Sequence, residues 1–168
     1  MGLDQYLEAR QYVSRKVYNK EAQDYEANPR YETLVADNFP KGLSKFADFA
    51  GGSVSMVVGK WRKANQIHRW FVENIQDGED DCGEYMVTQE ELGELGLIID
   101  QILDVPAGTE ERIAVAEELL PVEQGFFFGS YEYGEYYFEQ LEYTLQLIKH
   151  LAQSEDFDKL SFYYSSSW

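Results

Sequence analysis

Three segments of this chain repeat apolar residues every three or four positions, the spacing that puts side chains on one face of a helix. The clearest helix start is at Thr88 and Glu91, which have the T-x-x-E form of a capping box. A shorter helix is expected from Thr109 to the residues before Pro121. The three stripes are Trp61, Ala64, His68, Phe71 and Ile75; Leu92, Leu95, Ile99 and Ile102; and Tyr137, Leu141, Thr144, Ile148 and Leu151. The first stripe predicts a helix from Trp61 to Gln76.

Strand-like segments lie between these helices and near both ends of the sequence. Leu3, Leu7, Ala9 and Val13 can form one face of a strand, although a helix also fits that segment. The segments "SVSMVVGKW", "CGEYMV" and "KLSFYYSSSW" have strand character, and Gly59 is expected to turn the chain into the following helix. These patterns predict an α+β fold with a single domain over 1–168. Three or four helices would cover a small antiparallel sheet that includes the N- and C-terminal strands.

Two further segments show no sustained period. Residues 15–45 contain Pro29 and Pro40 and are rich in polar residues, which predicts a surface excursion with short elements. The segment "QGFFFGS" is expected to form a buried strand or a tight packing loop.

The charge is distributed unevenly along the chain. Residues 1–70 hold eleven Lys/Arg and eight Asp/Glu, whereas residues 71–168 hold three Lys/Arg and twenty-three Asp/Glu. The net charge therefore changes from +3 to −20 between the two parts. The acidic part is either a solubilising surface or a surface for a basic partner, such as a protein that grips nucleic acid. Direct nucleic-acid binding by this part is not expected, because phosphate contacts need Lys and Arg.

The cellular location and the absence of a cofactor are predicted from two features that the sequence lacks, a long apolar run and a second cysteine. No apolar run approaches the roughly 20 residues that a membrane helix needs, so no membrane partner is expected. Cys82 is the single cysteine, which excludes an internal disulfide and a CxxC pair. These observations predict a cytoplasmic protein without a cofactor. The many tyrosines leave self-association open.

Two polar residues, Asn65 and His68, fall within or beside the apolar stripe of the first predicted helix. They are either structural residues with buried hydrogen-bond partners or the lining of a pocket. In the second interpretation, nearby cations would favour a nucleotide or another phosphorylated small molecule. The predicted ligand-binding residues are then Trp61, Arg62, Lys63, Asn65 and His68.

Catalytic alternatives have weaker support. His68 and Cys82 suggest a Cys-His nucleophile, but no family-specific signature surrounds the cysteine. Metal binding by His68 with Asp80, Asp81 and Glu84 lacks the register of a calcium loop or an H-x-x-x-H pair. We therefore predict no catalytic residues and no metal ligands, and favour a protein that is not an enzyme. A metal-assisted hydrolase is the third hypothesis, after protein binding and ligand binding.

Aromatic and acidic residues alternate after the triple phenylalanine. This composition resembles a protein-contact surface more than a platform for nucleic-acid bases. The predicted partner-binding residues are Tyr131, Tyr133, Glu135, Tyr136, Glu139 and Glu142.

Four sequence blocks carry a resemblance to known proteins. They are "MGLDQYL", "WRKANQIHRWFVENIQDGEDDCGEY", "LLPVEQGFFFGSYEYGEYYFEQLEYT" and "FYYSSSW". In these blocks the chain resembles small accessory proteins encoded by bacteriophages and prophages. The resemblance implies a non-structural protein made in the cytoplasm of an infected bacterium. Together with the charge asymmetry, it predicts a protein that binds and inhibits or redirects a host factor, such as a component of antiviral defence.

Overall fold

The computed structural model describes residues 2–39, 51–125 and 127–168. The strands are β1 (Asp4–Ser14), β2 (Lys16–Asn19), β3 (Asp24–Ala27), β4 (Gly51–Arg62), β5 (Glu84–Val87) and β6 (Leu160–Ser167). The helices are α1 (Pro29–Asn38), α2 (Asn65–Asn74), α3 (Gln89–Asp104), α4 (Glu110–Leu119) and α5 (Glu135–Ala152), with a 3-10 turn at Phe157–Lys159. The predicted α+β class is confirmed.

The chain divides into two compact units, Met1–Ala9 with Met56–Trp168 and Arg10–Ser55. We call them the larger and the smaller unit. The smaller unit contains an antiparallel hairpin in which Lys16 pairs with Ala27 and Asn19 with Asp24. Its helix α1 begins after Asn28, whose side chain accepts a hydrogen bond from the Arg30 amide. Short elements were expected in residues 15–45, and residues 40–45 lie outside the described part. A single domain over 1–168 stays a prediction.

The four-stranded antiparallel sheet has the order β4-β1-β6-β5. The N- and C-terminal strands are therefore neighbours at its centre, as the sequence predicted. Residues of β5 and β6 alternate between the two faces, with Tyr85 opposite Tyr164 and Val87 opposite Phe162. Leu7, Ala9 and Val13 are buried on one face of β1, and Leu3 is buried just before it, which settles the choice between strand and helix.

Helices pack on the inner face of the sheet in the larger unit. The Phe71 ring of α2 stacks on Tyr164 of β6, with ring centroids 3.9 Å apart. The Trp61 indole of β4 donates a hydrogen bond from Nε1 to Thr144 Oγ1 of α5 at 2.8 Å. The predicted apolar stripes of α3 and α5 are buried, and both predicted caps are formed, at Thr88 with Glu91 and at Thr109. These contacts fix the larger unit's core.

The first predicted helix is shorter than expected. It begins at Asn65, because β4 continues to Arg62 and Lys63 then adopts a left-handed conformation with φ 60°. The Lys63 amide donates to the Leu3 carbonyl at 2.7 Å, which fixes the turn between strand and helix. The prediction that Gly59 makes this turn is wrong. Gly59 lies inside β4, where an added Cβ would come within 2.7 Å of Leu147 Cδ2 of α5.

Candidate functional site

The Asn65 side chain, at the start of α2, is buried and hydrogen-bonded within the protein rather than open to a ligand. Its side-chain Nδ2 donates to the carbonyls of Phe128 at 3.2 Å and Ser130 at 2.9 Å. Its Oδ1 accepts a hydrogen bond from the Glu123 amide at 3.2 Å. All three partners belong to the segment between α4 and α5. Asn65 therefore holds that segment against α2.

His68, one turn later, has a partner on each ring nitrogen. Nδ1 lies 2.8 Å from the Tyr164 hydroxyl, and Nε2 lies 2.9 Å from Asp80 Oδ2. The Tyr164 hydroxyl also donates to Gln5 Oε1 at 3.0 Å, and Gln5 Nε2 donates to the Ala64 carbonyl at 3.0 Å. This buried hydrogen-bonded chain, which we call the His68 network, connects α2 to β1, β6 and the loop after α2.

The donor directions in the His68 network follow from Gln5. Its Nε2 is used on a carbonyl, so its Oε1 must accept the Tyr164 hydrogen, and the Tyr164 oxygen must then accept from His68 Nδ1. The Asp80 carboxylate accepts from Nε2. Each polar side chain of the network therefore has a hydrogen-bond partner.

Tyrosines in this interior are held neutral. Burial, with a smaller contribution from the Asp80 carboxylate, raises the pKa of Tyr164 well above its usual value. Burial also raises the pKa of Tyr137, whose hydroxyl donates to the Leu120 carbonyl at 2.8 Å. These phenols act as hydrogen-bond groups and are poor acids.

The structure does not support the catalytic alternatives. Cys82 is exposed, and neither nitrogen of His68 bonds to it, because Tyr164 and Asp80 occupy both. Among residues 2–39, 51–125 and 127–168, no group of three or more His, Cys, Asp or Glu side chains is arranged to hold a metal ion. His68, Asp80, Asp81 and Glu84 therefore do not form the metal cluster considered from the sequence.

The five predicted ligand-binding residues are not gathered around one cavity. Trp61 is buried in the core. Asn65 is buried against the segment between α4 and α5. Arg62 is exposed on β4, 4.0 Å from Asp4. Lys63 lines a small pocket of about 120 Å³ beside the start of α5. Only His68 lines the large cleft described next.

A cleft of about 900 Å³ lies beside α2, within the larger unit. Its volume is in the range of small-molecule sites. Three parts of the chain form its walls: one face of α2, the acidic turn after it and the segment before α5, together with Trp168. The lining residues are His68, Arg69, Val72, Glu73, Gly78, Asp80, Glu123, Gln124, Gly125, Phe127, Phe128 and Trp168.

The lining of the cleft combines aromatic rings with an excess of negative charge. Trp168 and Phe127 are 51% and 40% exposed. Among the described residues, Arg69 is the one Lys or Arg in the lining, and its Nε lies 2.8 Å from Glu73 Oε1 and 3.6 Å from Glu123 Oε2. Asp80 accepts hydrogen bonds from His68 and, at 3.1 Å, from Trp168 Nε1. The described lining thus holds three carboxylates and one guanidinium, and two of the carboxylates lie beside it.

Most of this cleft was not predicted from the sequence. Arg69, Glu123, Phe127 and Trp168 were not assigned to any site. The available signal was the i, i+4 pair of Arg69 and Glu73, which marks an exposed helix face. Nothing in the local pattern joins that face to residues about 50 and 100 positions later.

The predicted partner-binding residues lie before and along α5. Tyr131, Glu135, Tyr136, Glu139 and Glu142 are exposed, whereas Tyr133 is half-buried. The Tyr133 hydroxyl accepts from the Val122 amide at 3.2 Å, so this residue also has a structural role. The Tyr136 hydroxyl donates to the Arg62 carbonyl.

Exposed carboxylates extend over the three C-terminal helices. We call this set the acidic helical surface: Glu90, Glu94, Asp104, Glu110, Glu111, Glu117, Glu118, Glu135, Glu139 and Glu142. The three cations of residues 71–168 do little to neutralise it. Arg112 is buried with its guanidinium carbon 4.4 Å from the centre of the Phe138 ring. Lys149 pairs with Asp100 at 2.8 Å, and Lys159 pairs with Asp156 at 2.6 Å.

Compared with known proteins, the chain matches no family model, no curated protein and no solved structure. No helix in the described residues is long and apolar enough to cross a membrane. The function proposed for this chain therefore follows from its own sequence, geometry and charge.

Proposed function

We propose that this protein is a non-enzymatic binding protein that contacts a basic protein partner through α5 and the segment before it, while the rest of the acidic helical surface attracts the partner at longer range. By occupying the partner's basic surface, it would inhibit or redirect that partner. The observation that carries the proposal is that each of the three Lys/Arg residues in 71–168 is either buried or already paired with a carboxylate. Arg112 is buried, and both lysines are already paired. A basic surface that approaches these helices would therefore meet carboxylates that are not already paired with a Lys or Arg of the same helices.

Exposed tyrosines add a second property of binding surfaces to α5 and the segment before it. Tyr131, Tyr136 and Tyr143 combine a large ring with a hydroxyl group. Tyrosine contributes strongly to protein interfaces because its ring buries much apolar area with few rotatable bonds. Carboxylates would steer and orient the partner, and the tyrosines would supply contact area.

The partner we propose is a host protein whose basic surface normally binds nucleic acid, such as an antiviral nuclease. The sequence resemblance to phage and prophage accessory proteins motivates this choice, and with it the proposal that the interaction takes place in the bacterial cytoplasm. A carboxylate-rich surface is complementary to the Lys and Arg residues that contact phosphates. The protein would thus compete with nucleic acid for the same surface.

The test is to measure association kinetics with candidate host nucleases and effector complexes at increasing salt. Complementary charge requires association to slow as salt rises. The variant Glu135→Gln/Glu139→Gln/Glu142→Gln removes three carboxylates from α5. The matched control Glu110→Gln/Glu111→Gln/Glu117→Gln removes three from α4. We expect the α5 variant to slow association about tenfold and the control to have a smaller effect.

Two results would contradict this proposal. Association that is independent of salt would remove the electrostatic argument. Equal losses in the α5 and α4 variants would show that general charge, rather than the α5 face, governs binding.

Ligand binding is the second candidate function, and the cleft of about 900 Å³ favours it. A phosphorylated ligand was expected from the sequence, and it can be tested with a nucleotide panel in thermal unfolding. A ligand at 100 times its Kd should add about 2.7 kcal/mol to the free energy of unfolding. The absence of any shift across the panel would count against a nucleotide ligand.

A further inference from the structure

The cleft beside α2 has a chemistry different from the phosphate pocket expected from the sequence. Its one guanidinium, on Arg69, is already shared by Glu73 and Glu123. The lining therefore has no unpaired Lys or Arg for a phosphate. The carboxylates of Glu73, Glu123 and Asp80 outnumber that guanidinium, so the lining remains negative whether or not His68 is charged.

Each carboxylate near Arg69 retains acceptor capacity. A carboxylate has about four lone-pair positions. The hydrogen bond from Arg69 Nε uses one on Glu73, and Glu123, at 3.6 Å, is an ion-pair partner of the same nitrogen. Asp80, by contrast, has one oxygen on His68 and the other on Trp168. Glu73 and Glu123 thus have the most capacity to accept hydrogen bonds from a bound ligand.

Aromatic rings supply the other part of the cleft. Trp168 is tied to Asp80 through its indole N–H, and its ring packs edge-on against Phe128 with centroids 5.9 Å apart. Phe128 in turn packs edge-on against the His68 ring at 5.2 Å. The Trp168 ring is therefore held in place at the cleft while half exposed. Phe127 adds a second exposed ring to the same lining.

We propose that this cleft is a binding site for a guanidinium group. A guanidinium is planar, weakly hydrated and able to stack on an aromatic ring while donating two hydrogen bonds to a carboxylate. Trp168 and Phe127 would provide the stacking surfaces, and Glu123 and Glu73 the acceptors. The group can belong to an arginine side chain or to a free small guanidine compound. This site is separate from α5 and does not depend on the protein-binding proposal.

The proposal is tested by NMR titration of the protein with N-acetyl-arginine amide. The matched probes are the lysine analogue, the citrulline analogue, which is a neutral isostere, and inorganic phosphate. We expect saturable shifts at the Trp168 indole N–H and at residues 123–128. The citrulline analogue should bind about tenfold more weakly, because it lacks the charge but keeps the shape. Equal binding of citrulline, tighter binding of phosphate, or shifts elsewhere would overturn the proposal.

Variants assign the binding to named side chains. Glu123→Gln removes one carboxylate while keeping the backbone amide that Asn65 holds, and should weaken arginine-amide binding at least about threefold. Glu118→Gln, an exposed change on α4, is the matched control and should have no effect. Trp168→Phe keeps a ring if Trp168→Ala disturbs the fold. Arginine binding unchanged in both Glu123→Gln and the Trp168 variants would overturn the assignment.

The source of the guanidinium is resolved by comparing arginine amide with the peptide Gly-Arg-Gly, capped at both ends. Tighter binding of the peptide would identify a protein arginine as the ligand, since flanking backbone then adds contacts. Equal binding would identify a small guanidine compound. Both results support a guanidinium site, and neither depends on the salt response of α5.

Discussion

The His68 network and the acidic helical surface differ in how far their polar groups are paired. In the network, both nitrogens of His68 and the side chains of Gln5 and Tyr164 are bonded. Among the described residues, the buried side-chain atoms without a partner belong instead to Gln76, Arg112 and Ser166. On the helices, exposed carboxylates outnumber the cations, which are buried or paired. The difference is consistent with a stabilising role for the network and with the binding role proposed for the surface.

The largest effect on stability is expected for His68→Ala. This change leaves Asp80 and Tyr164 without their shared partner and opens a cavity, so the free energy of unfolding should fall by about 3 kcal/mol. Urea denaturation measures it. Arg69→Ala, on the same helix but with exposed ion pairs, is the control and should cost less than about 1 kcal/mol. A loss below about 1 kcal/mol for His68→Ala would mean that the network is not a stabilising feature.

Asn65→Ala should have the next largest effect, about 2 kcal/mol, because three backbone groups lose their hydrogen bonds. Hydrogen exchange should also accelerate in residues 123–130, since Asn65 holds that segment. The matched control is Asn74→Ala, whose side chain bonds only to the Trp70 carbonyl near the end of α2. If exchange stays unchanged in residues 123–130, Asn65 is not the connector that the geometry indicates.

Alkaline pH should lower the free energy of unfolding through the two buried tyrosines, Tyr137 and Tyr164. Burial raises the pKa of Tyr137 and Tyr164 in the folded protein, so an unfolded chain releases these protons first. Their contribution is fully present below pH 10 and is lost as the pH rises toward the folded pKa values. Each tyrosine should lower the free energy of unfolding by roughly 1 kcal/mol per pH unit above about pH 10.

The variants Tyr137→Phe and Tyr164→Phe test this sign. Each should reduce the slope of unfolding free energy between pH 10 and 11 by about 1 kcal/mol per unit. The same variant at pH 8 provides the reference, because both tyrosines are then neutral in either state. Slopes equal to that of the unmodified protein would show that these phenols ionise without unfolding.

The smallest change in stability is expected for exposed carboxylates of the acidic helical surface. Glu139→Gln/Glu142→Gln removes two like charges three residues apart on α5, so stability at low salt should rise by about 0.2 to 0.5 kcal/mol. Added salt should reduce this gain by screening the repulsion. Thermal unfolding at low and high salt measures both. A loss greater than about 1 kcal/mol would show that these carboxylates are structural, and the contrast between the two regions would fail.

Local patterns were sufficient for the elements whose signals lie within a few residues. The capping box at Thr88 and the stripe from Tyr137 to Leu151 correctly predicted α3 and α5. The alternation in β1 and the β-rich tail likewise predicted neighbouring strands. The start of α2 was placed too early, because Trp61 fits an inward position on a strand as well as on a helix. A hydrogen bond from Lys63 to Leu3, about 60 residues away, decides between them.

The inward orientation of Asn65 and His68 could be predicted from helical spacing, but their partners could not. The partners come from residues 5, 80, 123, 128, 130 and 164, which only the tertiary fold brings together. The cleft is assembled in the same way from separated segments. Its negative lining arises because Glu123 and Asp80 line the same cleft as Arg69. The phosphate pocket expected from the sequence did not include these carboxylates.

The pairing of β1 with β6 also has a kinetic consequence. The two central strands of the sheet are separated by nearly the whole chain, and the bond from Tyr164 to Gln5 spans 159 positions. Such distant pairing makes folding slow, because loop closure must precede the gain from contact. On the ribosome, β1 would lack its neighbour β6 until residues 160–167 emerge. A chaperone that binds apolar segments would find the apolar residues of β1, such as Leu7, less protected during synthesis.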